Sequence, residues 1–363
     1  MFGTRLKNVR EKLEKEKLDA VLISSVPNIT YLTGYSNFFK EERDGFVLIT
    51  KKGNYILTHS IYSKSLENKI PGFGVIEISR RDPPEKVIKN ILIKANSLGI
   101  EEHNLTAYEY KKLLEVFKIL KNFDLKIKRS IKDSGEIKLI TKACQIGDEA
   151  FKKVLKKIKL GITEKQLVWE LENLIKEQGF ETSFRTIVAF GANAAYPHHQ
   201  ISDKRLTIND KLILMDFGVN YQNYCSDMTR TIFFGKPDDK QKKMYETVLV
   251  AQKKAVEYIN FCIKAGRDIK VSAVDKAARK HIISKGFPTI PHSLGHGIGL
   301  EVHEHPHLSP KSKEILQEGM VFSIEPGIYI PDFGGVRIED LYVLEVGRIR
   351  KLTTSPSSLR EKS

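Results

Sequence analysis

Apolar residues recur every three to four positions across 4–17, where Leu6, Val9 and Leu13 fall on one face between charges, and this predicts an amphipathic helix. A short apolar run follows at 20–23, of strand length, closed by a Ser-Ser-Val-Pro turn. Residues 46–50 and 55–58 read as two strands joined by Lys51-Lys52-Gly53-Asn54, a hairpin signal. Further strands are expected at 75–78 and 98–101, and helices at 83–95 and 106–120, the first opened by Pro83-Pro84. Residues 123–127 close the series. The alternation predicts an α/β domain over residues 1–127. It holds no cluster of catalytic residue types.

A boundary is expected within 126–133, with a second domain over 134–350. There Ser134 is the expected cap of a long helix over 136–159, and Gly161 its stop. Thr163-Glu-Lys-Gln166 is a capping-box pattern that starts a second helix, to about residue 178. Two strands come next, 211–218 carrying Asp216 and 224–234 carrying Asp227, joined by a turn-rich segment. A turn centred on Tyr221 and Gln222 makes Asp216 face Asp227. The device recurs: Glu325 ends one strand, Glu339 begins the next, and a turn on Asp332 puts them opposite each other. Helices over 240–263 and 271–285 precede this second hairpin as the earlier helix pair precedes the first. The chain after residue 134 thus reads as an α+β domain of two pseudo-twofold halves.

Directly opposed side chains in an antiparallel pair have Cβ atoms about 5 Å apart. Two carboxylates at that distance repel unless a cation lies between them. A fifth candidate ligand, His296, stands in Gly295-His-Gly-Ile-Gly, where glycines allow close approach of the backbone. Four carboxylates and one imidazole make an oxygen-rich set with no thiolate. Such a set suits Mn²⁺ first, with Co²⁺, Fe²⁺ or Zn²⁺ as alternatives, and it is large enough for two ions. Asp216-Phe-Gly also matches the metal-binding tripeptide of protein kinases, but no glycine-rich loop, strand lysine or His-Arg-Asp loop accompanies it.

Composition narrows the class without choosing the chemistry. The chain has 363 residues, 41% apolar and 29% charged, as in a soluble globular protein of two domains. No run reaches the 18 or so apolar residues of a membrane span. The first 17 residues carry no apolar signal region, and three scattered cysteines suit a reducing compartment, so a cytoplasmic location is expected. The net charge of +15 is spread: 24 basic against 16 acidic residues in 1–130, and 36 against 29 in the rest. That describes a lysine-rich solvated surface rather than a nucleic-acid stripe.

Five motifs carry a specific resemblance: Asp216-Phe-Gly, Ser226-Asp-Met-Thr-Arg-Thr, Gly295-His-Gly-Ile-Gly, Glu325-Pro-Gly-Ile-Tyr and Gly335-Val-Arg-Ile-Glu-Asp. With Tyr31-Leu-Thr-Gly-Tyr35 in the N-terminal part, the chain resembles the creatinase/methionine-aminopeptidase family of "pita-bread" metallopeptidases over nearly its whole length. The resemblance points to the Xaa-Pro peptidases, aminopeptidase P and prolidase. It implies that Asp216 and Asp227 bind one metal and His296 and Glu325 a second, with Asp227 and Glu339 bridging. A hydroxide between the metals would attack the scissile carbonyl, with Glu325 as proton shuttle. His198 would stand near the leaving imino nitrogen, His303 would stabilise the oxyanion, and His292 matches a third histidine of the proline-specific members. A homodimer is implied by the resemblance alone.

Cleaving a bond to proline requires protonation of a tertiary nitrogen as it leaves, a task suited to histidine. His199 and His305 are expected to be solvent-facing. His307 departs from the family pattern, since many prolidases carry there an arginine that is taken to bind the dipeptide carboxylate. Histidine lacks the bidentate fork, so the expectation is an aminopeptidase that accepts peptides with proline second, with Xaa-Pro dipeptidase as the alternative. Methionine aminopeptidase is disfavoured by the N-terminal domain and His292, and a non-catalytic peptide-binding module by the complete ligand set.

Overall fold

The computed structural model describes residues 2–39, 41–357, 361 and 362, and the chain divides after Ile127 into two compact units. The first is built on a six-stranded mixed sheet in the order Gly74–Glu77, Asn54–Thr58, Gly45–Thr50, Ala20–Ile23, Ser97–Ile100, Ile119–Asn122. Ala20–Ile23 lies inside the sheet and is buried along its whole length, which is why it reads as a continuous apolar run. The helix Phe2–Glu16 buries Leu6, Val9 and Leu13 as expected.

Three expectations fail here. Where the sequence predicts a turn, Val26–Thr33 is a helix: Pro27 lies in the first turn, where a missing N–H costs nothing, and Gly34 ends it at φ +79°. The helix expected to reach residue 120 stops at Val116, and Ile119–Asn122 pairs with Ser97–Ile100 as the edge strand. A helix, Lys126–Ser130, follows where 123–127 was to close the series.

In the second unit the same order of elements occurs twice: a long helix, a shorter helix, a strand, then a hairpin. The helices Ser134–Val154 and Glu164–Lys176 precede Ile187–Phe190, which pairs antiparallel with Leu212–Phe217, which pairs in turn with Met228–Phe234. The helices Asp239–Lys264 and Val271–Ser284 precede Gly295–Gly297, paired with Val321–Ile324, itself paired with Asp340–Glu345. This is the α+β architecture of two pseudo-twofold halves expected for the chain after residue 134. Asp133, rather than Ser134, caps the first helix: it accepts from the Gly135 and Glu136 amides while Glu136 reaches back to the Asp133 amide.

Each helix pair buries an apolar face on its own sheet. Phe151, Leu167, Leu171 and Ile175 meet Val188, Ile213, Met215 and Phe217; Val248, Ala255, Ile259 and Val274 meet Phe322, Ile324, Val336 and Ile338. Each such side chain larger than alanine contributes about 1.5–3 kcal/mol by leaving water, so the sheets are stiff platforms for what their strand ends carry. No helix among the described residues is long and apolar enough to cross a membrane.

Candidate active site

The first hairpin turns on Gln222 and Asn223, both in the left-handed region at φ +49° and +72°, one residue later than expected. The register therefore pairs Asp216 with Thr229, not with Asp227. A shift of two in pairing preserves the face, so Asp216 and Asp227 still project to the same side as diagonal neighbours. The second hairpin has the expected register. Ile324 pairs with Asp340 and Gly327 with Arg337, which sets Glu325 opposite Glu339 in the gap between the two ladders.

The hairpins are stitched together at their carboxylate ends. The Glu339 amide donates to the Thr229 carbonyl at 3.1 Å, and Thr229 Oγ1 donates to Glu339 Oε2 at 2.7 Å. Arg230, fully buried, donates to Asp340 Oδ1 and to the Glu339 and Ser355 carbonyls.

His296 enters from the short strand between Gly295 and Gly297. A Cβ on Gly295 would lie 2.0 Å from the Ser323 carbonyl oxygen, and one on Gly297 2.0 Å from that of His305, so only glycine allows the strands to close on the imidazole. Ser323 Oγ accepts from the His296 amide. Nδ1 lies 3.1 Å from the Gly297 carbonyl, which places the ring proton there and turns the Nε2 lone pair toward the carboxylates. Nε2 is 3.3 Å from Glu325 Oε1 and 3.6 Å from Asp227 Oδ2.

Asp216, Asp227, His296, Glu325 and Glu339 open into one cavity of about 630 Å³, whose lining includes His198, His292, His303, His307 and Arg337. Phe184, Ile187, Pro197 and Val302 supply its apolar wall. The His303 ring meets that of His296 edge-on at 4.4 Å. His292 Nε2 lies 2.8 Å from the Tyr329 hydroxyl. His307 is exposed, with its amide bonded to Glu314.

Arg337 was not anticipated. It donates to Asp216 Oδ2 at 2.6 Å, to Tyr329 Oη at 3.0 Å and to Thr229 Oγ1 at 3.0 Å. A signal for it existed: Arg337 stands two before Glu339 and Thr229 two after Asp227, so strand alternation puts each on the face of its neighbouring carboxylate. His199 and His305 are not the solvent-facing residues expected. His199 Nε2 is 2.8 Å from Glu164 and His305 Nδ1 2.8 Å from Glu314, because each has a carboxylate within reach across a loop.

The electrostatics are those of a cation site. Burial, reinforced by Glu339, holds Asp227 and Glu325 well above the usual carboxylate range; burial and Asp216 push Glu339 up to about 7. Burial draws His296 and His292 down to about 4, so both are neutral at pH 7 and His296 offers a free lone pair. Asp227 Oδ1 and Glu339 Oε1 are buried with no hydrogen-bond partner. One ligand atom each from Asp227, His296 and Glu339 falls within 4.8 Å of the others. Orphaned carboxylate oxygens beside a neutral imidazole fit divalent metal ions, which would satisfy the oxygens and relieve the repulsion.

Residues 138–345 match metallopeptidase family M24, and residues 5–130 match the creatinase/prolidase N-terminal domain. The chain belongs to family M24. It is similar to a Xaa-Pro dipeptidase of Pyrococcus horikoshii, 39% identical over 99% of both chains. Among solved structures it resembles the Xaa-Pro dipeptidase from Bacillus anthracis, at TM-score 0.90 and 31% identity over 100% of both chains. It also resembles the X-Pro aminopeptidase from Thermotoga maritima, at TM-score 0.84 and 32% identity over 95% of this chain and 98% of that one. As an M24 metallopeptidase the protein is a hydrolase that works with divalent metal ions.

Proposed function

We propose that this M24 peptidase hydrolyses the bond between an N-terminal residue and a following proline, as a Xaa-Pro aminopeptidase. The observation that carries the reading is the meeting of Asp227, His296 and Glu339 within 4.8 Å, in a cavity whose wall brings His198, His292 and His303 to the same space.

Asp216, Asp227, His296, Glu325 and Glu339 would hold two divalent ions, and the oxygen-rich donor set favours Mn²⁺. Bound there, such ions polarise a carbonyl and make water acidic enough to attack near neutral pH. The chain's own groups supply the rest. Glu325 accepts the proton released at attack and carries it toward the departing nitrogen. His198 is assigned to that nitrogen, which in a bond to proline is tertiary and leaves only when protonated. His303 donates to the oxygen on which charge develops. His292, oriented by Tyr329, and His307 are assigned to substrate binding. The apolar wall of Phe184, Ile187, Pro197 and Val302 suits a proline ring.

A dipeptidase is the second reading, favoured by the names of the relatives from Pyrococcus horikoshii and Bacillus anthracis. His307 favours the first, since a single imidazole is a weak clamp for a free carboxylate. Release of alanine from Ala-Pro and from Ala-Pro-Ala by the Mn²⁺-loaded protein separates them. A tripeptide rate equal to or above the dipeptide rate supports the aminopeptidase, and cleavage of Ala-Pro alone supports the dipeptidase. Failure to cleave either in a chelator-sensitive way, with several metals, ends both readings. A cytoplasmic location, suggested by three buried free cysteines, and a homodimer belong to the same proposal. Mass in solution tests the homodimer.

A further inference from the structure

Glu164 is a carboxylate with no exposed surface, at the first position of the helix Glu164–Lys176. It collects five donors. Oε1 accepts from the Phe190 amide at 2.9 Å and from Asn193 Nδ2 at 2.8 Å. Oε2 accepts from the Ser202 amide at 3.0 Å, Ser202 Oγ at 2.6 Å and His199 Nε2 at 2.8 Å. The helix N-terminus favours the negative charge, and the five donors hold the carboxyl below its usual range despite burial.

The donors lie on one segment, 190–202, two at its start and three near its end. Between them Pro197 and His198 line the active-site cavity. Pro197 also accepts from Arg337 Nη1, at 3.4 Å. The segment has little regular structure beyond the short turn Gly191–Ala195, so its path depends on where its side chains are tied. Among the described residues, no hydrogen bond to the His198 ring accounts for its position; the ties run to the residues around it.

We infer that Glu164 is the positioning residue for His198, holding both ends of the 190–202 segment so that the imidazole stands in the active-site cavity. The inference rests on the proposed role of His198. It differs from a plain stabilising role in one consequence: the effect of Glu164 on catalysis passes through His198.

The test is a double-mutant cycle on the full-length, Mn²⁺-loaded protein, with metal content and melting temperature recorded for each variant. Glu164→Gln keeps the shape, but its amide nitrogen donates and cannot accept from donors already aimed at it. Expected is a fall in kcat/KM of about 10- to 100-fold, the effect of a displacement of order 1 Å at a reacting group. The fall should appear chiefly in kcat, with metal content unchanged. In a His198→Ala background the same substitution should cost less than about threefold, because the residue it positions is gone.

An equal fold loss in both backgrounds makes Glu164 merely structural and overturns the inference, as does a Glu164→Gln enzyme with unchanged kcat. If His198→Ala alone leaves kcat intact, the role of His198 fails, and the inference with it. That result is read from the single variant and so is distinct from a failure of positioning. Should Glu164→Gln not fold, Asn193→Ala removes one donor of five, and the same cycle is run with it. A smaller loss that vanishes in the His198→Ala background sustains the inference; one that persists there overturns it.

Discussion

Arg337 Nη2 donates to Asp216 Oδ2 at 2.6 Å, and the same guanidinium reaches Tyr329 and Thr229. One side chain of the second hairpin therefore fixes a carboxylate of the first. Arg337→Lys keeps the charge and loses the fork. Metal affinity or kcat/KM should fall about 10- to 100-fold, the usual effect of removing a group that orients a metal ligand. Metal titration and steady-state kinetics on the variant measure it.

Glu339 is raised from the ordinary 4.5 to about 7 by burial and by Asp216. A raised carboxyl contributes stability that is present below its unfolded value and lost as pH rises through its folded one. The chelated protein should therefore lose stability from this group between pH 4.5 and about 7. Metal ions reverse the sign, since they bind the ionised cluster. The gap between metal-loaded and chelated melting temperatures should widen from pH 5.5 to pH 8. A gap that narrows would show that the cluster is not where the metal binds.

Glu304 lies between Lys132 Nζ, at 3.1 Å, and Arg129, all three nearly out of water. Glu304→Ala leaves two buried cations short of their shared carboxylate, with the half-exposed Glu301 still beside Arg129. The loss should be about 3–5 kcal/mol, read from guanidinium chloride unfolding. A loss below 1 kcal/mol would mean that water replaces the carboxylate.

His303 faces the cavity but bears no described bond to the carboxylate cluster. His303→Ala should lower kcat by about 10²-fold or more while metal content stays the same, the pattern of a donor that acts on developing charge. Gly295→Ala, by contrast, drives a Cβ against the Ser323 carbonyl and should lose metal and activity together. Metal analysis beside the rate separates the two.

The sequence made the site's ingredients legible because strand alternation and glycine spacing are local. The second hairpin's register followed from Asp332, whose φ of +60° marks the turn. The first hairpin's did not, because Tyr221-Gln222-Asn223 offers two adjacent placements and only the backbone distinguishes them. Glu164 appeared as part of a capping box, but its five donors come from 26 to 38 positions away, a distance no local pattern spans. The contact of His199 with Glu164 spans 35 positions and is hidden for the same reason, and the helix Val26–Thr33 is hidden because a Ser-Val-Pro run opens a helix as readily as a turn.

The bond from the Glu339 amide to the Thr229 carbonyl joins segments made at different times. Asp216 and Asp227 leave the ribosome roughly 110 residues before Glu339, which at 5–20 residues per second is on the order of ten seconds. Throughout that interval the first hairpin carries its acidic groups without the strand that will bury them. Desolvation of the carboxylates is thus deferred until the second hairpin arrives, and the nascent chain has no working peptidase centre while it is still surrounded by other unfinished polypeptides.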